Sequence, residues 1–199
     1  MAGRPLIAHT LARVAAAPSI ARVIVVCPGA RRADVLRLGA EVGVTELSCV
    51  PGGPRRRDSV AAGLAAAGDA EIVVVHDAAR PLASHRLIEA LIAAARREGA
   101  ATAAIACVDT IKRVAGGRVV ETLPREQLVA VQTPQAFAAD LLRRAHAAEP
   151  ELDASDDCLL VERLGVPVAV VPGEPSNRKI TLSDDVEWLR RQMQAEERA

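Results

Sequence analysis

Four short stretches of this chain gather residue types that handle phosphate. Gly52 to Ser59 (GGPRRRDS) sets two glycines, over which a ligand can approach the backbone, beside Arg55, Arg56 and Arg57. Ser59 then reads as the cap of a helix whose N-terminus favours anions. A plainer reading of the same stretch is an exposed basic turn with solvated arginines. His76 to Pro81 (HDAARP) follows the apolar run Ile72 to Val75, so Asp77 should emerge at the carboxyl end of a strand, where α/β proteins collect ligands. A carboxylate there holds a sugar hydroxyl or a metal, and Arg80, restrained by Pro81, reaches a phosphate. The alternative is a turn aspartate bonded to its own backbone. His76 itself reads as a packed, hydrogen-bonded histidine.

The third stretch, Val108 to Lys112, is answered by Arg125 further on, though surface solvation explains these groups equally well, and the fourth is Gly173 to Thr181, which holds NRKIT (177–181). Of 25 basic residues only Lys112 and Lys179 are lysine, and a compact ammonium does not replace a planar guanidinium at a phosphate site. Ser155, Asp156 and Asp157 read as the acidic N-terminus of a helix.

The elements that would position these groups alternate. Apolar periodicity predicts a helix from Leu6 through Val14, a strand over 21–27, a helix over 31–38 and a strand over 46–50. A helix over 59–67, a strand over 71–76, a helix over 84–97 capped by Ser84, and a strand over 101–108 follow. Segments 110–114 and 118–123 flank Gly116 and Gly117 as a β-hairpin. Beyond it come a strand over 127–132, helices over 138–147 and 156–164, a strand over 166–171, and a helix over 183–194. The expected fold is α/β, a mostly parallel sheet with helices on both faces and a protruding hairpin arm.

Composition excludes several classes. The 199 residues carry 25 acidic and 25 basic side chains and are half hydrophobic, which suits one globular domain spanning 1–199. Phe137 and Trp188 are the only aromatics, so stacking platforms for nucleic acid are not expected. No apolar run reaches the 18 residues of a membrane span, and a cytoplasmic location is the default expectation. Cys27, Cys49, Cys107 and Cys158 lack metal-ligand spacing and read as buried reduced thiols.

Taken in order, GRPLIAHTL (3–11), GGPRRRDSV (52–60), VHDAARPL (75–82), DTIKR (109–113), QTPQAF (132–137) and NRKIT (177–181) resemble the 2-C-methyl-D-erythritol 4-phosphate cytidylyltransferase family. The resemblance covers essentially the whole chain. It implies a Rossmann-like nucleotidyltransferase fold, a homodimer, and an arm, residues 109–125, that embraces the second subunit. It implies that Gly52, Gly53, Arg56 and Ser59 meet the cytidine side of CTP, with Asp77 and Ala78 near the ribose and the methylerythritol phosphate. Thr110, Arg125, Thr133 and Lys179 would hold methylerythritol phosphate, Thr110 and Arg125 coming from the partner, with Arg125 and Lys179 as the positioning pair. Ser155 stands where the family usually has threonine and keeps the hydroxyl. Mg²⁺ would be bound mainly through the CTP phosphates, with no metal site in the protein itself. The family begins with a strand and a glycine-rich loop carrying an arginine, followed shortly by a lysine. Met1 stands just before the family's Gly-x-Pro-Leu segment, so a shortened start is expected. A related family, ribitol 5-phosphate cytidylyltransferase, is the alternative, against which the Ala78-Ala79 pair favours methylerythritol phosphate. A catalytically dead paralogue that still dimerises is the non-enzyme alternative.

Overall fold

The structure, a computed structural model, describes residues 4–196; Met1 and Gly3, the latter opening the GRPLIAHTL segment, lie outside the described residues. Helix α1 (Leu6–Ala15) starts after Pro5 and buries Ala8 and Leu11. Strands β1 (Val23–Val26) and β2 (Leu47–Val50), joined through α2 (Arg32–Glu41), pair in parallel. Helix α3 (Arg56–Ala66) leads to β3 (Ile72–Val75), and α4 (His85–Glu98) to β4 (Ala100–Ala106). Ser84 caps α4 as expected, its hydroxyl accepting from the Leu87 N–H at 3.1 Å.

The arm is a hairpin of β5 (Ile111–Ala115) and β6 (Arg118–Leu123). Its turn residues Gly116 and Gly117 have φ of +56° and +74°, conformations that glycine adopts without strain. Val114, Val119 and Val120 on the arm are exposed. The chain then continues through β7 (Val129–Ala138), α5 (Ala139–Ala148), α6 (Asp157–Arg163), β8 (Ala169–Pro172) and α7 (Ser183–Glu196).

The sheet is not mostly parallel. The main sheet runs β3-β7-β4-β8, and β7 is antiparallel to both β3 and β4; only β4–β8 and the separate β1–β2 pair are parallel. Of the segment read as a short strand over 127–132, residues 129–132 open a ten-residue strand that takes in the QTPQAF motif, while Gln127 ends a short turn. The cause lies in the connection. A parallel neighbour needs a crossover, usually a helix, to carry the chain back along the sheet. After β4 the chain instead runs out through the arm and returns directly, so β7 enters from the opposite end.

One irregularity in β7 serves the site. Thr102 pairs with Gln135 but Ala103 with Gln132, so Thr133 and Pro134 bulge out of the β4 ladder. Pro134, which follows a cis peptide bond, has no N–H to lose there.

Helices do cover both faces. On one face α4 packs Leu87, Leu91, Ala94 and Ala95 against Ile72, Val74, Ala101, Ala103 and Ala136. On the other, α5 and α6 pack Leu142, Ala145, Leu160 and Val161 around Phe137, Val73 and Val75. The period-2 alternation of β3 thus feeds two cores. Between β1 and β3, which share no ladder among the described residues, lies a cavity of about 770 Å³ lined by Val23–Val26 and Ile72–Val75.

All four cysteines are free, but only Cys158 is buried; Cys27, Cys49 and Cys107 are half-buried. Cys27, just after β1, stands close to Cys49 on β2, and burial, reinforced by the Cys27 thiol, pushes Cys49 up from the ordinary thiol range.

Candidate functional site

Arg56, Asp77, Arg80, Thr133, Ser155 and Lys179 line one cavity of about 250 Å³. It adjoins the larger cavity, with which it shares Arg56 and Asp77, and there Ser59 and Ala78 form part of the wall. Thr110 and Arg125 line neither cavity. Arg125 begins a short 3-10 turn after the arm and donates from Nη1 to the Val108 carbonyl at 2.6 Å.

Asp77 is the hub. Its carboxylate lies 3.0 Å from Lys179 Nζ and 3.7 Å from Arg80 Nε. Its backbone N–H donates to Thr133 Oγ1 at 2.9 Å. Thr133 reaches it because the bulge lifts residues 133 and 134 from the β4 ladder. The His76 ring completes a chain of hydrogen bonds whose direction is fixed. Nε2 lies 3.0 Å from the Arg80 carbonyl, which can only accept, so the ring proton sits on Nε2; Nδ1 then accepts from the Thr133 hydroxyl at 3.2 Å. Burial pulls the His76 pKa down to about 4, so the ring is neutral near pH 7.

The NRKIT segment is sewn onto this loop. Arg80 Nη1 donates to the Asn177 carbonyl at 2.8 Å, and the Ile180 N–H donates to the Ala79 carbonyl at 2.8 Å. Burial lowers the pKa of Arg80 from the usual guanidinium value, while Asp77 opposes that shift. Asn177 Nδ2 donates to the Thr133 carbonyl (2.8 Å) and to Gln132 Oε1 (3.2 Å). Asp185, in the first turn of α7, accepts from the Thr181 and Leu182 N–H groups at 2.9 and 3.0 Å, and these bonds hold its carboxyl below the ordinary range. Lys179 is thereby held at the cavity while its side chain stays half-exposed.

The three consecutive arginines are not a solvated turn. Arg55 pairs with Asp58 at 2.8 Å and donates to the Pro150 carbonyl at 3.1 Å. Arg57 is buried and donates to the carbonyls of His146 (2.9 Å), Leu152 (2.8 Å) and Glu149. The two pin the α5–α6 connection, leaving Arg56 to face the cavities. Ser59 is not the cap of α3, which starts three residues earlier with Arg55 at its cap position; the Asp58 carboxylate accepts the Arg55 N–H at 3.2 Å. The Ser59 hydroxyl instead accepts from the Gly53 N–H at 3.2 Å. Gly52 and Gly53 are needed for that approach: a Cβ would stand 2.8 Å from Ser59 Oγ at the first and 2.4 Å from Asp58 Cβ at the second.

Sequence reasoning gave no individual role to Gln132, Gln135 or, within the NRKIT stretch, Asn177, all buried. Gln135 Nε2 donates to Thr102 Oγ1 (3.1 Å) and to the Asp156 carboxylate (2.8 Å), joining β7 to the start of α6. For Gln132 and Gln135, amides inside an apolar strand were the available signal, since a buried amide requires partners.

A sheet with helices on both faces, carrying a cationic cluster around one carboxylate where its loops converge, defines an α/β protein of the nucleotidyltransferase type. Residues 1–193 match the family IspD, 2-C-methyl-D-erythritol 4-phosphate cytidylyltransferase, and the chain belongs to this enzyme family. The chain is 48% identical over 182 residues to a bifunctional IspD/IspF enzyme of Anaeromyxobacter dehalogenans, a match covering 87% of the chain and 46% of that longer protein. It is 41% identical over 198 residues to a 2-C-methyl-D-erythritol 4-phosphate cytidylyltransferase of Bacillus velezensis, covering 98% and 85%. The crystal structure of 4-diphosphocytidyl-2C-methyl-D-erythritol synthase from Anaerococcus prevotii superposes with a TM-score of 0.88 at 31% identity, covering 96% and 87%. No helix among the described residues is long and apolar enough to cross a membrane.

Proposed function

We propose that this chain transfers a cytidylyl group from CTP to 2-C-methyl-D-erythritol 4-phosphate, releasing pyrophosphate, in a homodimer whose arms complete each other's sites. The observation that carries the reading is the gathering of Lys179, Arg80 and Thr133 around Asp77, beside a second cavity that Arg56 also faces.

A phosphate monoester is already nucleophilic at neutral pH, so the protein has to orient it and to stabilise charge on the transferring group. The smaller cavity receives the methylerythritol phosphate. Lys179 is suited to meet it, because an ammonium with three donors holds a phosphate oxygen without leaving Asp77. The attacking oxygen forms a bond to the α-phosphorus of CTP as the bond to the pyrophosphate oxygen breaks. Arg56 and Ser59 lie on the nucleotide side, Ala78 borders the same cavity, and the Gly53 N–H donates to Ser59 from just outside it. Asp77 keeps Lys179 and Arg80 directed at the junction. Ser155 supplies a hydroxyl to the wall.

Thr110 and Arg125 stand away from both cavities, which fits their delivery to the partner's site by the arm. The exposed valines of β5 and β6 fit the same role, since apolar surface of this kind is suited to a protein contact.

Mg²⁺ prefers phosphate oxygens with one or two carboxylates. Asp77 is engaged by Lys179, so the ion would be held as a companion of the triphosphate. When bound it neutralises phosphate charge.

The test is pyrophosphate release by the full chain with CTP, methylerythritol phosphate and Mg²⁺. Release that requires both substrates is expected, and Lys179→Ala should lower kcat/KM for methylerythritol phosphate by roughly a hundredfold or more. Equal release without methylerythritol phosphate, or none with it, overturns the reading.

A further inference from the structure

Asp156 and Asp157 both stand at the start of α6, but they do different things. Asp156 caps the helix, accepting the Leu159 N–H at 3.1 Å. Asp157 is fully buried and is not needed for that task. A second carboxylate withdrawn from water is costly unless charged or hydrogen-bonding partners compensate it.

Two partners do so, from two other helices. Arg56 Nη2, on the first turn of α3, lies 2.9 Å from Asp157 Oδ2. His146 Nε2, on α5, lies 3.0 Å from Oδ1. His146 is itself fixed, because Arg57 donates to its carbonyl. The Arg56 contact is an ion pair without a well-aligned hydrogen bond, and its Nη1 has no hydrogen-bond partner among the described residues. Arg56 is also the one arginine of its triplet that reaches both cavities, with its side chain one-third exposed.

We propose that Asp157, held by His146, is a positioning residue that fixes the Arg56 guanidinium at the junction of the two cavities, ready for the nucleotide. The inference rests on the reading above that Arg56 lies on the CTP side. A free arginine of this length samples many rotamers, and anchoring one edge of its fork leaves the remaining donors in a set direction before the ligand arrives.

The experiment is a double-mutant cycle on the full chain, reading the Kd for CTP by equilibrium titration and, in steady-state kinetics, KM for each substrate beside kcat. Arg56→Ala and Asp157→Asn should each raise Kd and KM for CTP about tenfold, while KM for methylerythritol phosphate stays within twofold. The double variant should bind CTP no more weakly than Arg56→Ala alone, since Asp157 acts through Arg56. Losses that multiply in the double variant, or an Asp157→Asn protein with unchanged CTP binding beside a weakened Arg56→Ala, overturn the positioning role. Unchanged CTP binding in Arg56→Ala instead overturns the nucleotide-side assignment, and the inference with it. If Asp157→Asn does not fold, His146→Gln takes its place: a threefold or greater rise in the Kd for CTP that vanishes in the Arg56→Ala background supports the proposal, and any other result overturns it.

Discussion

His76 holds one proton, and its neighbours dictate where. The Arg80 carbonyl takes the Nε2 proton, and the Thr133 hydroxyl turns its own proton to Nδ1, which frees the Thr133 oxygen to accept from the Asp77 N–H. A second ring proton would put two donors face to face in a buried site. The pKa of about 4 in the folded protein lies below the ordinary 6.5, so the unfolded chain takes up the proton first as pH falls. The stability linked to His76 is therefore complete above about pH 6.5 and is lost between there and pH 4, by on the order of 3 kcal/mol. Urea unfolding at a series of pH values should show it: His76→Gln lacks this titration, so its deficit relative to the native chain shrinks across that window. A deficit constant with pH would count against the relay.

At the scale of elements, the first turn of α3 ties the site to the α5–α6 connection. Arg57 satisfies three backbone carbonyls from within a buried position. Arg57→Met keeps the apolar stem and leaves those carbonyls without their donor, so chemical denaturation should show a loss of about 2–3 kcal/mol. Arg31→Met is the control: Arg31 is exposed and pairs with an exposed Asp34 at 3.5 Å, and its change should fall within about 0.5 kcal/mol. The same scale explains what the sequence left unread. Three adjacent arginines look alike along a chain, but in a helical turn successive residues are about 100° apart, so each meets a different surface. The direction of β7 was equally hidden, since a strand's pattern of side chains does not record which way its neighbour runs.

At the scale of the molecule, the proposed homodimer makes the arm decide whether a site is complete. The proposed homodimer puts Lys179 of one subunit with Arg125 of the other at each site, and a two-fold axis makes the two sites equivalent. Lys179→Ala and Arg125→Ala proteins should each be nearly inactive as homodimers. Mixed in equal amounts and allowed to exchange, they should regain about a quarter of native activity: half the dimers are mixed, and each has one intact site. Recovery of nothing after verified exchange would place both residues in sites built from a single chain.

Local patterning determined most of the elements, the Ser84 cap and the glycine turn of the hairpin, because periodicity and backbone preference act over a few residues. Residue type and order along the chain also pointed to Asp77, Arg80 and Lys179 as a phosphate-handling group. Tertiary structure alone decided that β7 lies antiparallel between β3 and β4, that Thr133 is lifted from the ladder to meet Asp77, and that Arg56 and His146 converge on Asp157. These depend on which distant segments share a buried space, and burial makes every enclosed charge or amide find a partner that sequence spacing does not specify.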